Sequence, residues 1–100
     1  MEINILEQNN EIVVSIAGRV DTVTSSDLEN AVSEVWNRPS ANLIFDCTKM
    51  EYISSSGLRV VLKAHKQITA AGGKFVMRNL NNEVRSVIDI TGFSRILTIE

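Results

Sequence analysis

The chain opens in strand-like alternation and then changes period. Ile3-Asn4-Ile5-Leu6-Glu7 reads as a short strand, and Gln8-Asn9-Asn10 has turn composition. Glu11 to Ala17 resumes with Ile12, Val14 and Ile16 on one face and Val13 and Ser15 on the other. Two such runs around an Asn-rich turn predict a β-hairpin, ended by Gly18-Arg19-Val20-Asp21. Leu28, Ala31, Val32, Val35 and Trp36 then keep the spacing of an amphipathic helix. Thr24-Ser25-Ser26-Asp27 ahead of them has the form of a capping box, and Pro39 stops the helix past Arg38.

Asn42 to Cys47 is a short apolar run around Leu43-Ile44-Phe45, too short for a helix and predicted as a buried strand. Thr48 to Ser56 is expected to be a loop carrying Met50, Tyr52 and Ile53. A second helix begins around Ser55–Leu58 and runs to about Ala71, its inner stripe Leu58, Val61, Leu62, His65, Ile68 and Thr69, with Gly72-Gly73 as the stop. Lys74 to Asn79 is a strand with Phe75 and Met77 opposite Val76. Asn81 or Asn82 caps a third helix, Glu83 to Ile90, which turns Val84, Val87 and Ile88 inward. Gly92 ends it, and Ile96 to Ile99 is a last short strand. The order ββαβαβαβ predicts an α/β domain, its mixed sheet made of the opening antiparallel hairpin plus parallel strands and packed with amphipathic helices. Leu28, Val32, Phe45, Leu58, Leu62, Phe75 and Val87 are the expected core.

Composition narrows the functional classes. One hundred residues, 44% hydrophobic and 22% charged, suit one folded domain over residues 1–100 and argue against disorder. A net charge of −2 argues against nucleic-acid binding. No apolar run approaches the roughly 18 residues of a membrane span, and Met1-Glu2-Ile3-Asn4 has no signal-peptide character, so a cytoplasmic chain without membrane insertion is expected. One cysteine and one histidine exclude an internal disulfide and a closed zinc site, and no cofactor is expected. An enzyme built from Cys47 or Ser56 with His65 lacks the acid–base partners it would need, so the expectation is a non-enzyme. His65, Cys47, Trp36 and Phe45 all read as packing residues.

The densest run of chemistry is Tyr52-Ile53-Ser54-Ser55-Ser56-Gly57-Leu58-Arg59. It follows a buried strand and opens a helix. Three hydroxyls therefore stand at a helix N-terminus, where unpaired N–H groups and the helix dipole favour negative charge. One of the serines is expected to cap, and three exceed what a cap needs. The functional reading is a modifiable hydroxyl, where a phosphate adds a charge of about −2 that the backbone tolerates. Gly57 removes bulk beside Ser56 and would let a partner backbone come close. Asp21 and Asp46 end strands or turns, where a carboxylate ordinarily accepts backbone N–H bonds. Arg59, Lys63 and Lys66 recur on the outer face of the second helix, either as a solvated face or as a docking surface for an acidic partner.

Four blocks stand in order along the chain, Gly18-Arg19-Val20-Asp21, Leu43-Ile44-Phe45-Asp46, Tyr52-Ile53-Ser54-Ser55-Ser56-Gly57-Leu58 and Ala71-Gly72-Gly73-Lys74. In them the chain resembles the anti-sigma factor antagonists, bacterial STAS domains that regulate transcription by partner switching. The third block is similar to the family's phosphorylation loop. The resemblance implies that Ser56 is the phosphorylation site and Ser55 the serine before it. Ser54 stands where many members carry Asp, which would add a charge at the helix start. It also favours a place for Asp21 near the recognition loop, so the expected partner-binding set is Asp21, Ser54, Ser55, Gly57, Arg59 and Lys63. The partners implied are an anti-sigma factor that is also a serine kinase, which docks the unphosphorylated domain and releases its sigma factor, and a phosphatase that resets the switch. The kinase brings ATP and magnesium. Other STAS proteins serve lipid-handling ABC transporters or stress-sensing assemblies, and that alternative keeps the fold while changing the task.

Overall fold

In the computed structural model, which describes residues 1–100, the opening alternation forms two antiparallel strands, β1 (Glu2–Gln8) and β2 (Glu11–Val20). The turn between them is only Asn9-Asn10, and Asn9 takes a left-handed φ of 55°, which asparagine tolerates better than most residues. There follow α1 (Thr24–Ser33), β3 (Asn42–Asp46), β4 (Met50–Ile53), α2 (Ser55–Ala70), β5 (Lys74–Arg78), α3 (Asn82–Ile90), a 3₁₀ turn (Phe93–Arg95) and β6 (Thr98–Ile99). The strands lie in the order β1-β2-β3-β5-β6, with β4 also beside β2. Every pairing after the hairpin is parallel, which makes the expected mixed sheet.

The strand β4 replaces part of the expected loop. The strand β2 is long enough to pair twice on one side, with β3 along Glu11–Ser15 and with β4 along Gly18–Val20. The register shifts between Gly18 and Arg19, where Gly18 has φ +96° and its N–H donates to the Lys49 carbonyl at 2.8 Å. The strands β3 and β4 thus run end to end along β2. The strand β2 also runs three residues past the expected Ala17, and other boundaries differ from expectation as well. The helix α1 ends at Ser33, because the chain tightens there and the Val35 N–H donates to the Val32 carbonyl, so the apolar spacing outlasts the helix. The last strand starts only at Thr98, since Ile96 is exposed beside the 3₁₀ turn.

One cluster of 23 buried residues forms the core, with Phe45 and Phe75 edge to face at 4.9 Å between ring centroids. Leu28, Val32, Phe45, Leu58 and Phe75 are buried as expected, whereas Leu62 and Val87 are only half-buried at its margin. On α2 the inner stripe is rotated from the expected one. Gly57, Val60 and Ala64 are buried, His65 is half-buried and Thr69 is exposed. Small side chains on that face let α2 pack closely against α1 as well as the sheet.

Candidate functional site

The parallel register pairs Val20 with Ile53, so the chain leaves β2 and β4 at the same end of the sheet. Asp21 and Ser54 are the first residues beyond it. The Ser54 N–H donates to the Val20 carbonyl at 2.8 Å and ties the two exits together.

Asp21 organises the first exit. Its Oδ1 accepts the N–H groups of Val23 at 3.0 Å and Thr24 at 2.9 Å, while its own N–H donates to Thr24 Oγ1 at 2.9 Å. These reciprocal bonds are those of a capping box set three residues earlier than the sequence suggested. The expected box fails because Thr24–Asp27 already lie in the first turn of α1, whose N-cap Val23 offers no side-chain acceptor. The bonds from Thr24 hold the Asp21 carboxyl below the usual carboxylate range, since they favour its charged form. The same turn leaves Val23 79% exposed beside the site.

Ser54 is the serine that caps α2, its Oγ accepting the Gly57 N–H at 3.2 Å. Ser55 is exposed and Ser56 half-buried, both in the first turn, and neither hydroxyl bonds within the chain. Gly57 is buried, and the reason for a glycine there is internal. A Cβ would lie 2.8 Å from both Val20 Cγ1 and Ile53 Cγ1, so the missing bulk admits the ends of β2 and β4 and gives a partner backbone no way in. Arg59 is exposed without an ion partner, whereas Lys63 Nζ reaches Glu29 Oε2 of α1 at 3.0 Å.

Beside this turn runs a groove of about 280 Å³, with Ser55, Leu58, Arg59 and Leu62 on one wall and Thr91 and Phe93 on the other. Val23, Thr91 and Phe93 were not singled out from sequence. They join the site only through the fold, and no local pattern marks them.

Asp46 lies elsewhere, because β3 ends beside Ser15, halfway along β2. Its Oδ1 accepts the Thr48 hydroxyl at 2.7 Å, the Thr48 N–H at 3.2 Å and Asn79 Nδ2 at 3.2 Å, and these bonds lower its pKa. Burial pushes the Cys47 thiol up to about 12, so it stays protonated at neutral pH. The imidazole of His65 sits against Phe75 at 6.1 Å, with a buried Nδ1 that has no partner. No helix is long and apolar enough to cross a membrane.

Comparison with known proteins agrees with this geometry. The STAS domain family model matches residues 2–100. The Bordetella bronchiseptica protein BtrV, provisionally named an anti-sigma factor antagonist, is 31% identical over 88% of this chain and 76% of its own length. The anti-sigma-B factor antagonist of Bacillus subtilis is 26% identical over 99% of this chain and 90% of its own. Among solved structures, the anti-sigma factor antagonist SpoIIAA in its unphosphorylated form superposes with a TM-score of 0.83 at 17% identity, over 99% of this chain and 88% of that one. Its phosphorylated form from Bacillus gives 0.76 at 16% identity, over 99% and 91%.

Proposed function

The chain belongs to the STAS domain family, and from that premise we propose that it is an anti-sigma factor antagonist switched at Ser56. Unmodified, it docks on an anti-sigma factor that is also a serine kinase, and the bound sigma factor is released. The kinase then transfers the γ-phosphoryl group of ATP to Ser56 Oγ. An O–P bond forms, ADP leaves, and the hydroxyl proton passes to the kinase's base. A phosphatase restores the hydroxyl by hydrolysis. The domain acts as ligand and substrate and supplies no catalytic group; its setting is the cytoplasm.

The observation that carries this reading is the division among the three serines. Ser54 caps the helix, and the Ser56 hydroxyl, two residues on and partly exposed, is left uncommitted. The names of BtrV and of the Bacillus subtilis relative support the partner class, and a SpoIIAA solved in both states supports the switch. Physically, a phosphate at Ser56 meets free N–H groups of the first turn, so the fold tolerates it. In a docked interface the same charge must lose water against a surface shaped for a neutral hydroxyl. An unpaired buried charge costs about 2–5 kcal/mol, or roughly thirtyfold to several-thousandfold in affinity.

Incubation with the cognate kinase and ATP, followed by mass mapping, tests the assignment. Phosphate is expected on Ser56. Ser56→Ala should bind and resist the kinase, Ser55→Ala should remain a substrate, and Ser56→Asp should lose part of the binding. Phosphate on Ser54 or Ser55, or undiminished binding by the Ser56 phospho-form, would overturn the reading.

A further inference from the structure

Resting on Ser56 as the acceptor, we infer that Arg59 receives the phosphate: once modified, Ser56 is clamped within the same helix by the Arg59 guanidinium. Phosphorylation then withdraws from the partner both a neutral hydroxyl and a cation.

The helix brings the two together. Ser56 and Arg59 are three residues apart within the regular helix α2, a spacing that puts side chains side by side, about 5–6 Å between Cβ atoms. The Arg59 side chain is exposed and has no carboxylate to leave. Its competitors are occupied or distant. Lys63 is held by Glu29, and Arg19 lies over the Tyr52 ring at 4.3 Å. Arg38, Arg78 and Arg85 pair with Glu7, Glu100 and Asp89. Lys66 is ten residues on, roughly 15 Å along the helix. Besides Arg59, Arg95 in the 3₁₀ turn is the one arginine with neither an ion pair nor an aromatic partner.

The chemistry favours arginine in this place. A guanidinium presents a planar fork of donors that matches two phosphate oxygens at once. The second ionisation of phosphoserine falls near pH 6. A cation alongside favours the dianion, so the clamp lowers that pKa. The N–H groups of the first turn act in the same direction, but they remain when Arg59 is replaced.

The experiment installs phosphoserine at position 56 during translation of the full chain and follows its ³¹P resonance from pH 4 to 8. The second phosphate pKa should rise by about 0.3–0.7 units in Arg59→Gln, the size an exposed ion pair produces. Arg59→Lys should recover part of the shift, and 0.5 M salt should shrink it. Arg95→Gln should leave the titration unchanged. Equal pKa values with and without Arg59, or a shift that follows Arg95 instead, would overturn the clamp. Arg59 is exposed, so its variants should keep the parent unfolding midpoint, which checks that the fold is intact. Because the phosphate is installed, the answer does not depend on which serine a kinase selects. Mass mapping decides that separately.

Discussion

Gly57→Ala is the most searching single change at the site, because it adds one methyl group and no charge. The new Cβ would stand 2.8 Å from Val20 Cγ1, 2.8 Å from Ile53 Cγ1 and 3.3 Å from the Val20 carbonyl oxygen. Carbon–carbon contact is comfortable at about 3.5 Å and beyond, so both side chains must retreat by roughly 0.7 Å. Neither is free to do so. Both are buried β-branched residues paired across β2 and β4, and the Val20 carbonyl also accepts the Ser54 N–H. Helix propensity pulls the other way, since alanine is favoured over glycine by up to about 1 kcal/mol. Two simultaneous clashes put the overpacking in the upper half of its usual range, about 2–3 kcal/mol, so the net is a loss of about 1–2 kcal/mol. Urea unfolding should show a lower midpoint with an unchanged slope. The identity of the clash is read from a cycle with Val20→Ala, in whose background Gly57→Ala should cost less or become favourable. A Gly57→Ala protein as stable as the parent, or a cost unmoved by Val20→Ala, would refute the packing account of this glycine.

Ser54→Ala should lose about 1 kcal/mol as its cap disappears, while Ser54→Asp should match or exceed the parent, both measured by urea unfolding. Leu58→Ala should cost about 2–5 kcal/mol and Leu62→Ala distinctly less, since Leu58 is buried and Leu62 only half-buried. Asp46 is held below its ordinary value of 3.8, so its contribution to stability is fully present above that pH and is lost as pH falls through the folded-state value. Thermal melts from pH 7 to 2 should therefore fall less steeply at the acid end for Asp46→Asn than for the parent.

Elements with a strong period were legible from sequence, and those decided by long-range register were not. Ile12, Val14 and Ile16 declared the inner face of β2 because that face is fully buried and the other only half-buried. Met50-Glu51-Tyr52-Ile53 is four residues long and gains strand character only from the spare length of β2 beyond Gly18. The capping box was misplaced for a related reason. Asp21-Thr22-Val23-Thr24 and Thr24-Ser25-Ser26-Asp27 both have capping potential, and the choice between them depends on where β2 releases the chain, at Val20. On α2 the apolar residues span a wide arc. Side-chain size, with Gly57 and Ala64 allowing close approach, decided which part of the arc turned inward over Leu62 and Thr69. The groove wall at Thr91 and Phe93 lies more than thirty residues from Ser55 and Leu58, beyond the reach of any local pattern.

The same register would let the proposed modification leave the site's frame in place. Asp21, Ser54 and Gly57 were nominated for a partner, yet each has a task inside the fold: two organise helix starts and one admits the strand ends. Ser55, Ser56 and Arg59 are left with uncommitted polar groups on that frame. Had the cap and the proposed acceptor been one residue, esterifying its oxygen would have disturbed the bond that starts α2, worth about 1 kcal/mol, and the first turn would have frayed with every cycle. Placing the cap two residues earlier separates the two events. A phosphate at Ser56 then changes the charge and donors offered to a partner while the Ser54–Gly57 bond and the Ser54–Val20 tie stay in place. On this arrangement, the proposed loss of docking upon phosphorylation would report a change at the surface and would require no change of fold.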